Sequence, residues 1–259
     1  MPEGHTIHRA ARDHQRLFAG QRLAVSSPQG RFASGAAQIH GRLCTDIEAY
    51  GKHLLYHFKG APSLHIHLGL FGRIRKGKVP AREPRGEVRI RLVGESHHVD
   101  INGPTICETL NDSEVAALLA RLGPDPLRDD AEPALAYQRI IRSRMPVGQL
   151  LMDQSVIAGI GNIYRTELLW RQRVHPELPG RELSEARFEA LWLDACNLLA
   201  LGAKRNAIIT VENAPPARSR YRERVNIFGK TECPDCGSAI RRFTLATRKV
   251  YVCEHCQLR

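Results

Sequence analysis

The period of the hydrophobic positions changes twice along this chain. Between Thr6 and Phe18 the apolar residues Ile7, Ala10, Ala11 and Leu17 recur at helical spacing, and Gly20 closes the segment. Short strand-like runs follow from residue 22 to residue 110, at 23–25, 54–58, 64–68, 88–93 and 105–106. Several alternate with period two and are separated by turn residues, which predicts a β-sandwich or barrel. Residues 113–122 read as a helix with a capping residue. Residues 123–133, rich in Pro, Gly and Asp, read as a linker. The period is then helical over 137–141, 147–158, 163–171 and 184–201. The polar stretch 206–224, with Pro215-Pro216, is expected to be a mobile loop. There is no internal repeat. The expected organisation is multi-domain α+β: a β domain over 1–122, the linker, a helical domain over 134–224 and a terminal module over 225–259.

Within the helical part, residues 153–170 read DQSVIAGIGNIYRTELLW. An apolar helix end runs into Gly159-Ile160-Gly161, and a new helix starts at Asn162. Two glycines this close allow positive φ and a close approach of backbone to another molecule. The new helix offers free N–H groups and the positive end of its dipole, an anion site to which the Asn162 amide could add a hydrogen bond. The plainer alternative is a turn inside a helical bundle.

Four of the seven cysteines, Cys233, Cys236, Cys253 and Cys256, form two CxxC pairs sixteen residues apart. Each CxxC turn presents two thiolates, and four together suit one tetrahedral zinc. Residues 241–244 and 249–252 alternate as two strands of a hairpin between them. So small a module lacks the apolar area to fold alone, so bound metal supplies much of its folding free energy. With four protein ligands the ion is structural, because a catalytic zinc keeps a position open. His255 is a bystander. Cys44, Cys107 and Cys196 are scattered and read as buried apolar residues.

Charge narrows the partners. The 259 residues carry 38 Lys and Arg against 27 Asp and Glu, a formal +11. Ten of the basic residues and four of the acidic ones fall in 218–259. A chain this basic suggests a polyanion, nucleic acid first, and gives no sign of a membrane partner. No apolar run approaches a membrane span, and the start is too polar for a signal peptide. A reducing, cytoplasmic location is expected, on the nucleoid in a bacterium.

With a zinc ribbon behind the GIGN helix pair, and Met-Pro-Glu-Gly at the start, the chain resembles the formamidopyrimidine-DNA glycosylase/endonuclease VIII family. The landmarks run in order over the whole chain: Pro2-Glu3, Gly51-Lys52, residues 67–72, 153–167 and the four cysteines. The resemblance implies an N-terminal β-sandwich with flanking helices. It also implies a C-terminal helix–two-turns–helix domain ending in a zinc-ribbon β-hairpin with one structural zinc. It implies a bifunctional DNA glycosylase/AP lyase of base excision repair, monomeric, acting on damaged duplex, single-stranded or bubble DNA. Once Met1 is removed, Pro2 is a secondary amine with a pKa of about 8 that can attack the sugar C1′. Glu3 matches the catalytic carboxylate, and Lys52, Asn162 and Arg248 match residues that hold phosphates around a flipped nucleotide. His67 would approach a phosphate or be a satisfied core histidine. Leu70 and Phe71 fall on the wedge that fills the hole left by the base, or are ordinary core residues.

One departure is Thr6, where the family commonly has a second carboxylate. Pro2-Glu3-Gly4 and Leu70-Phe71 look like the endonuclease VIII branch, which prefers oxidised pyrimidines. Two alternatives are a purine-directed enzyme for 8-oxoguanine and formamidopyrimidines, and a damage-binding protein without base excision.

Overall fold

The computed structural model describes residues 2–213, 215–216 and 218–258. Met1, whose removal would expose the Pro2 amine, and Arg259 lie outside the described residues. The chain divides into two units, one of residues 2–3 and 7–121, the other of residues 4–6 and 122–258.

The first unit is built from helices α1 (Gly4–Phe18, from Ile7 onward), α2 (Ala33–Ile39) and α3 (Asp112–Ala120) and eight strands. These are β1 (Ala24–Ser26), β2 (Cys44–Tyr50), β3 (His53–Phe58), β4 (Ala61–His67), β5 (Arg73–Lys78), β6 (Val88–Val93), β7 (His97–Asn102) and β8 (Ile106–Leu110). They form two antiparallel four-stranded sheets, ordered β1-β6-β7-β5 and β2-β3-β4-β8. One core takes Leu54, Tyr56, Leu64 and Ile66 from one sheet and Val25, Ile90, Leu92 and Ile101 from the other. Ile7 and Phe18 of α1 and Ile39 of α2 complete it. Each such fully buried side chain contributes about 2 kcal/mol of transfer free energy. Leu55, on the other face of its sheet, packs under Val115 and Leu118 of α3. An Asn111–Glu114 capping box starts that helix. The sandwich with flanking helices is therefore present. Three strands and one helix had no clear signal, because β2, β5, β7 and α2 carry charged, polar or small residues where a strong apolar period is needed.

The second unit holds α4 (Pro133–Ile141), α5 (Val147–Leu150), α6 (Asn162–Arg171), α7 (Glu185–Arg205) and the hairpin β9 (Arg241–Leu245)–β10 (Arg248–Val252). Ser184 caps α7, and Asn206 ends it in the left-handed region. The helix expected over 147–158 stops at Leu150. Val156 and Ile157 donate to the Asp153 carbonyl, and the Asp153 side chain takes the Ser155 N–H, so the chain turns instead of continuing. The buried apolar run 156–160 serves the core from turns rather than from a helix.

The segment 123–133 is not a free tether. Gly123 to Pro126 are buried, Gly123 donates to the Gln154 carbonyl, and Leu127 packs on the core of this unit. Proline and aspartate here shape a packed turn; Asp125 accepts the Leu127 N–H at 2.9 Å.

Candidate functional site

In the first unit, Pro2 is half-buried and Glu3 almost wholly buried, in extended backbone at the start of α1. Lys52 sits in the two-residue loop joining β2 to β3, where Tyr50 pairs with His53. Gly51 takes φ 57°, as the first central residue of such a hairpin loop requires, so the glycine fixes where Lys52 stands.

Beside this loop the sheet carries three histidines. His53 Nδ1 lies 2.8 Å from His65 Nε2, and His65 Nδ1 lies 2.9 Å from Glu108 Oε1. The carboxylate accepts, so His65 is protonated at Nδ1 and His53 donates through its own Nδ1. His67 stacks at a tilt on His53, with ring centroids 5.1 Å apart. The Gly69 N–H donates to His67 Nδ1 at 3.2 Å, which leaves Nε2–H as the donor of that ring. Burial is the main cause that lowers all three pKa values, His53 to about 3, and the Lys52 charge adds to the effect on His53 and His67. His67 is thus a half-buried, neutral hydrogen-bond donor close to a lysine charge.

Leu70 and Phe71 occupy the β4–β5 turn and are 43% and 85% exposed. They are not core residues. At this exposure the Phe71 ring adds little to the packing of the free protein and leaves an apolar face open to solvent.

In the second unit, Gly159 takes φ 90°, whereas Gly161 is extended and precedes the first residue of α6. Only one of the two glycines uses its conformational freedom. Asn162 is buried at the start of α6, and its Nδ2 donates to the Lys249 carbonyl on β10. Arg248, one residue earlier, is exposed at the start of β10. The β9–β10 loop is Ala246-Thr247 with φ 45° and 67°, a hairpin turn made without the usual Asn or Gly.

Two residues of α6 had no signal in the sequence. Arg165 is fully buried, and Glu167 is fully buried too. Glu167 accepts from the Asn226 N–H at 2.6 Å, Ile227 N–H at 3.0 Å, Phe228 N–H at 2.8 Å and Thr210 hydroxyl at 2.6 Å. Thr210 N–H also donates to the Arg224 carbonyl, so the loop between Thr210 and Asn226 is closed at its base on α6. An Arg or Glu three to five residues after a helix start ordinarily faces water, so only the fold reveals these roles.

His5 and Thr6 belong to this unit. Thr6 Oγ1 lies 3.1 Å from His5 Nε2, and burial first of all lowers the His5 pKa to about 3. Thr6, the departure already visible in the sequence, therefore stands in a neutral hydroxyl–imidazole pair.

Cys233, Cys236, Cys253 and Cys256 bring their sulfurs within 4.8 Å of one another. Cys236 and Cys253 sulfurs are 3.4 Å apart, Cys233 and Cys256 3.8 Å. Sulfurs at about 2.3 Å from a tetrahedral ion are about 3.8 Å apart, so the four can hold one metal ion with little movement. Cys44 is buried, while Cys107 and Cys196 are only partly so; burial raises Cys44 and Cys107 to about 12. Among the described residues no helix is long and apolar enough to cross a membrane.

The model of the formamidopyrimidine-DNA glycosylase N-terminal domain matches residues 1–104, and that of the formamidopyrimidine-DNA glycosylase H2TH domain matches residues 122–213. The chain is similar to Endonuclease 8 1 of Mycobacterium tuberculosis, with 48% identity over 267 residues covering 99% of this chain and 100% of that protein. It is 28% identical over 269 residues to the formamidopyrimidine-DNA glycosylase of Halorhodospira halophila, covering 99% and 98%. Its fold is similar to that of the Lactococcus lactis Fpg solved in complex with an abasic site containing DNA. There the TM-score is 0.82 at 22% identity, covering 99% of this chain and 100% of that one. Sandwich, helix–two-turns–helix domain and cysteine hairpin are those of one class of DNA glycosylase. The chain belongs to the formamidopyrimidine-DNA glycosylase/endonuclease VIII family.

Proposed function

We propose that this protein is a bifunctional DNA glycosylase/AP lyase of base excision repair that removes oxidised bases, pyrimidines before purines. The observation that carries the reading is the full-length 48% identity to Endonuclease 8 1, with Pro2-Glu3 standing at the start of the chain. The Pro2 amine attacks C1′ of the damaged nucleotide. The C1′–N bond breaks, the base leaves with a proton, and an iminium forms between Pro2 and the opened sugar. Glu3 moves protons on the sugar ring and leaving base. The iminium acidifies C2′–H; loss of that proton expels the 3′ phosphate, and a second elimination expels the 5′ phosphate. Lys52, Asn162, Arg248 and the Nε2–H of His67 hold backbone phosphates, and Leu70 and Phe71 take the place of the flipped base. The four cysteines hold zinc, which when bound stabilises the hairpin carrying Arg248.

Borohydride trapping tests the reading. Protein with Met1 removal confirmed by intact mass is incubated with duplexes carrying an abasic site, thymine glycol, dihydrouracil or 8-oxoguanine. A covalent adduct on abasic and oxidised-pyrimidine DNA is expected. Pro2→Gly should abolish it while leaving DNA affinity within about twofold, because Pro2 is assigned a covalent role rather than a binding one. Trapping mainly on 8-oxoguanine would transfer the assignment to purines. Adducts on abasic DNA alone would show base release impaired, with Thr6 the first residue to restore to Glu. Tight binding with no adduct would leave a damage-binding protein.

A further inference from the structure

The Asn162 side chain has two unlike ends, and only one of them can meet a phosphate. The amide nitrogen donates; the amide oxygen would repel an anion. Something must fix which end is presented. In this chain a buried cation does so. The Arg165 guanidinium donates through Nη2 to Asn162 Oδ1 and, at 3.1 Å, to the Lys249 carbonyl, and through Nη1 to the Gly148 carbonyl at 3.2 Å. The Lys249 carbonyl also receives Asn162 Nδ2 at 3.2 Å. Arg165 therefore occupies the oxygen end of Asn162, and the carbonyl beside it takes one of the two amide hydrogens. One N–H of Asn162 remains to donate elsewhere.

We propose that Arg165 is a positioning residue of the phosphate clamp. It locks the Asn162 amide in the donor-outward orientation and fastens that amide to the β10 backbone next to Arg248. This inference rests on the reading of Asn162 as a phosphate ligand. Position 165 is fully buried between α5, α6 and β10, where an apolar side chain would fill the space without desolvating a charge. A guanidinium there supplies what a leucine cannot: a planar fork reaching three oxygens from three elements. Helical spacing brings it about, since residues three apart on α6 share a face.

The test is a double-mutant cycle on the full-length protein, read as affinity for a duplex carrying a tetrahydrofuran abasic-site analogue. Single-turnover strand cleavage of abasic DNA at saturating protein is measured alongside. Arg165→Met should weaken binding about tenfold in the wild-type background and less than twofold when Asn162→Ala is already present. The single-turnover rate at saturation should stay within about threefold, because positioning of a phosphate ligand acts on binding before chemistry. Arg165→Lys keeps the charge but loses the fork, and should fall between wild type and Arg165→Met. Metal content and unfolding temperature are recorded for each variant. If Arg165→Met does not fold, Arg165→Lys in the same two backgrounds carries the cycle. Equal losses in both backgrounds, or wild-type affinity in a folded Arg165 variant, would overturn the inference. Asn162→Ala with undiminished affinity would instead refute the clamp reading of Asn162 itself, a result separable from the behaviour of Arg165.

Discussion

At the scale of single residues, Phe71 is where the proposed function can be tested apart from stability. Its side chain is 85% exposed, so its removal gives up almost no packing in the free protein. If it fills the space of a flipped base, it recovers stacking that the duplex has lost, about 1–3 kcal/mol for one base–aromatic contact. Phe71→Ala should therefore leave the thermal unfolding midpoint unchanged and weaken binding to an abasic-analogue duplex about tenfold or more, measured by fluorescence anisotropy. A drop in the midpoint with unchanged affinity would return Phe71 to a structural role. Candidates of this kind stand out in the sequence because their signal lies in local order: Pro2-Glu3, the Gly51-Lys52 loop, the Leu70-Phe71 pair and the four cysteines. Arg165 and Glu167 do not, because the groups that define them lie far along the chain. Lys249 is 84 residues from Arg165, and Asn226 is 59 residues from Glu167.

At the scale of the element, α6 concentrates three tasks in its first six residues. Asn162 faces the β10 backbone, Arg165 orients it, and Glu167 closes the base of the loop between Thr210 and Asn226. The start of this helix was readable from GIGN. The end of its predecessor was not, because a buried apolar run has the same composition whether it coils or turns. The β9–β10 hairpin was readable from its alternation, but the shape of its turn was not: Ala246 and Thr247 both take positive φ, and neither residue announces it. Glu167 offers the sharper test. Its carboxylate accepts from three successive backbone N–H groups as well as from the Thr210 hydroxyl, and an amide in its place would turn an NH₂ toward donors. Glu167→Gln should cost about 2–4 kcal/mol, the range for breaking a buried charged hydrogen-bond set. It should also speed protease cleavage between residues 211 and 225. The two readouts are urea unfolding and mass-mapped limited proteolysis; unchanged cleavage with lowered stability would confine Glu167 to the core and remove its hold on the loop.

At the scale of the whole molecule, the formal charge of +11 counts every histidine as neutral, and burial supplies a physical reason for five of them, His5, His14, His53, His65 and His67. Burial, ahead of every other cause, lowers His5 and His53 to about 3 and His14 to about 4. The unfolded chain takes up a proton at each near pH 6.5, while the folded chain waits until pH 4 or below. The unfolded state therefore binds more protons in that window, and stability must fall as pH drops from about 6.5 toward 4. Each histidine contributes a slope of up to about 1.4 kcal/mol per pH unit. His57 works in the opposite sense: its hydrogen bond with Glu48 raises its pKa, so its contribution is complete below pH 6.5 and is lost as pH rises through the raised value. His14 is the clearest place to check the acid limb, because its ring meets the buried Tyr56 hydroxyl at 2.7 Å, which a glutamine amide can still reach. Urea unfolding of wild type and His14→Gln between pH 4.5 and 6.5 should give slopes differing by about one proton, while metal-thiolate protonation cancels in the comparison. Equal slopes would mean that His14 already titrates in the folded protein. The sign matters for DNA as well. Buried histidines that stay neutral add no cationic charge on acidification, so any acid loss of DNA binding that follows the same slope belongs to the fold and not to the phosphate contacts.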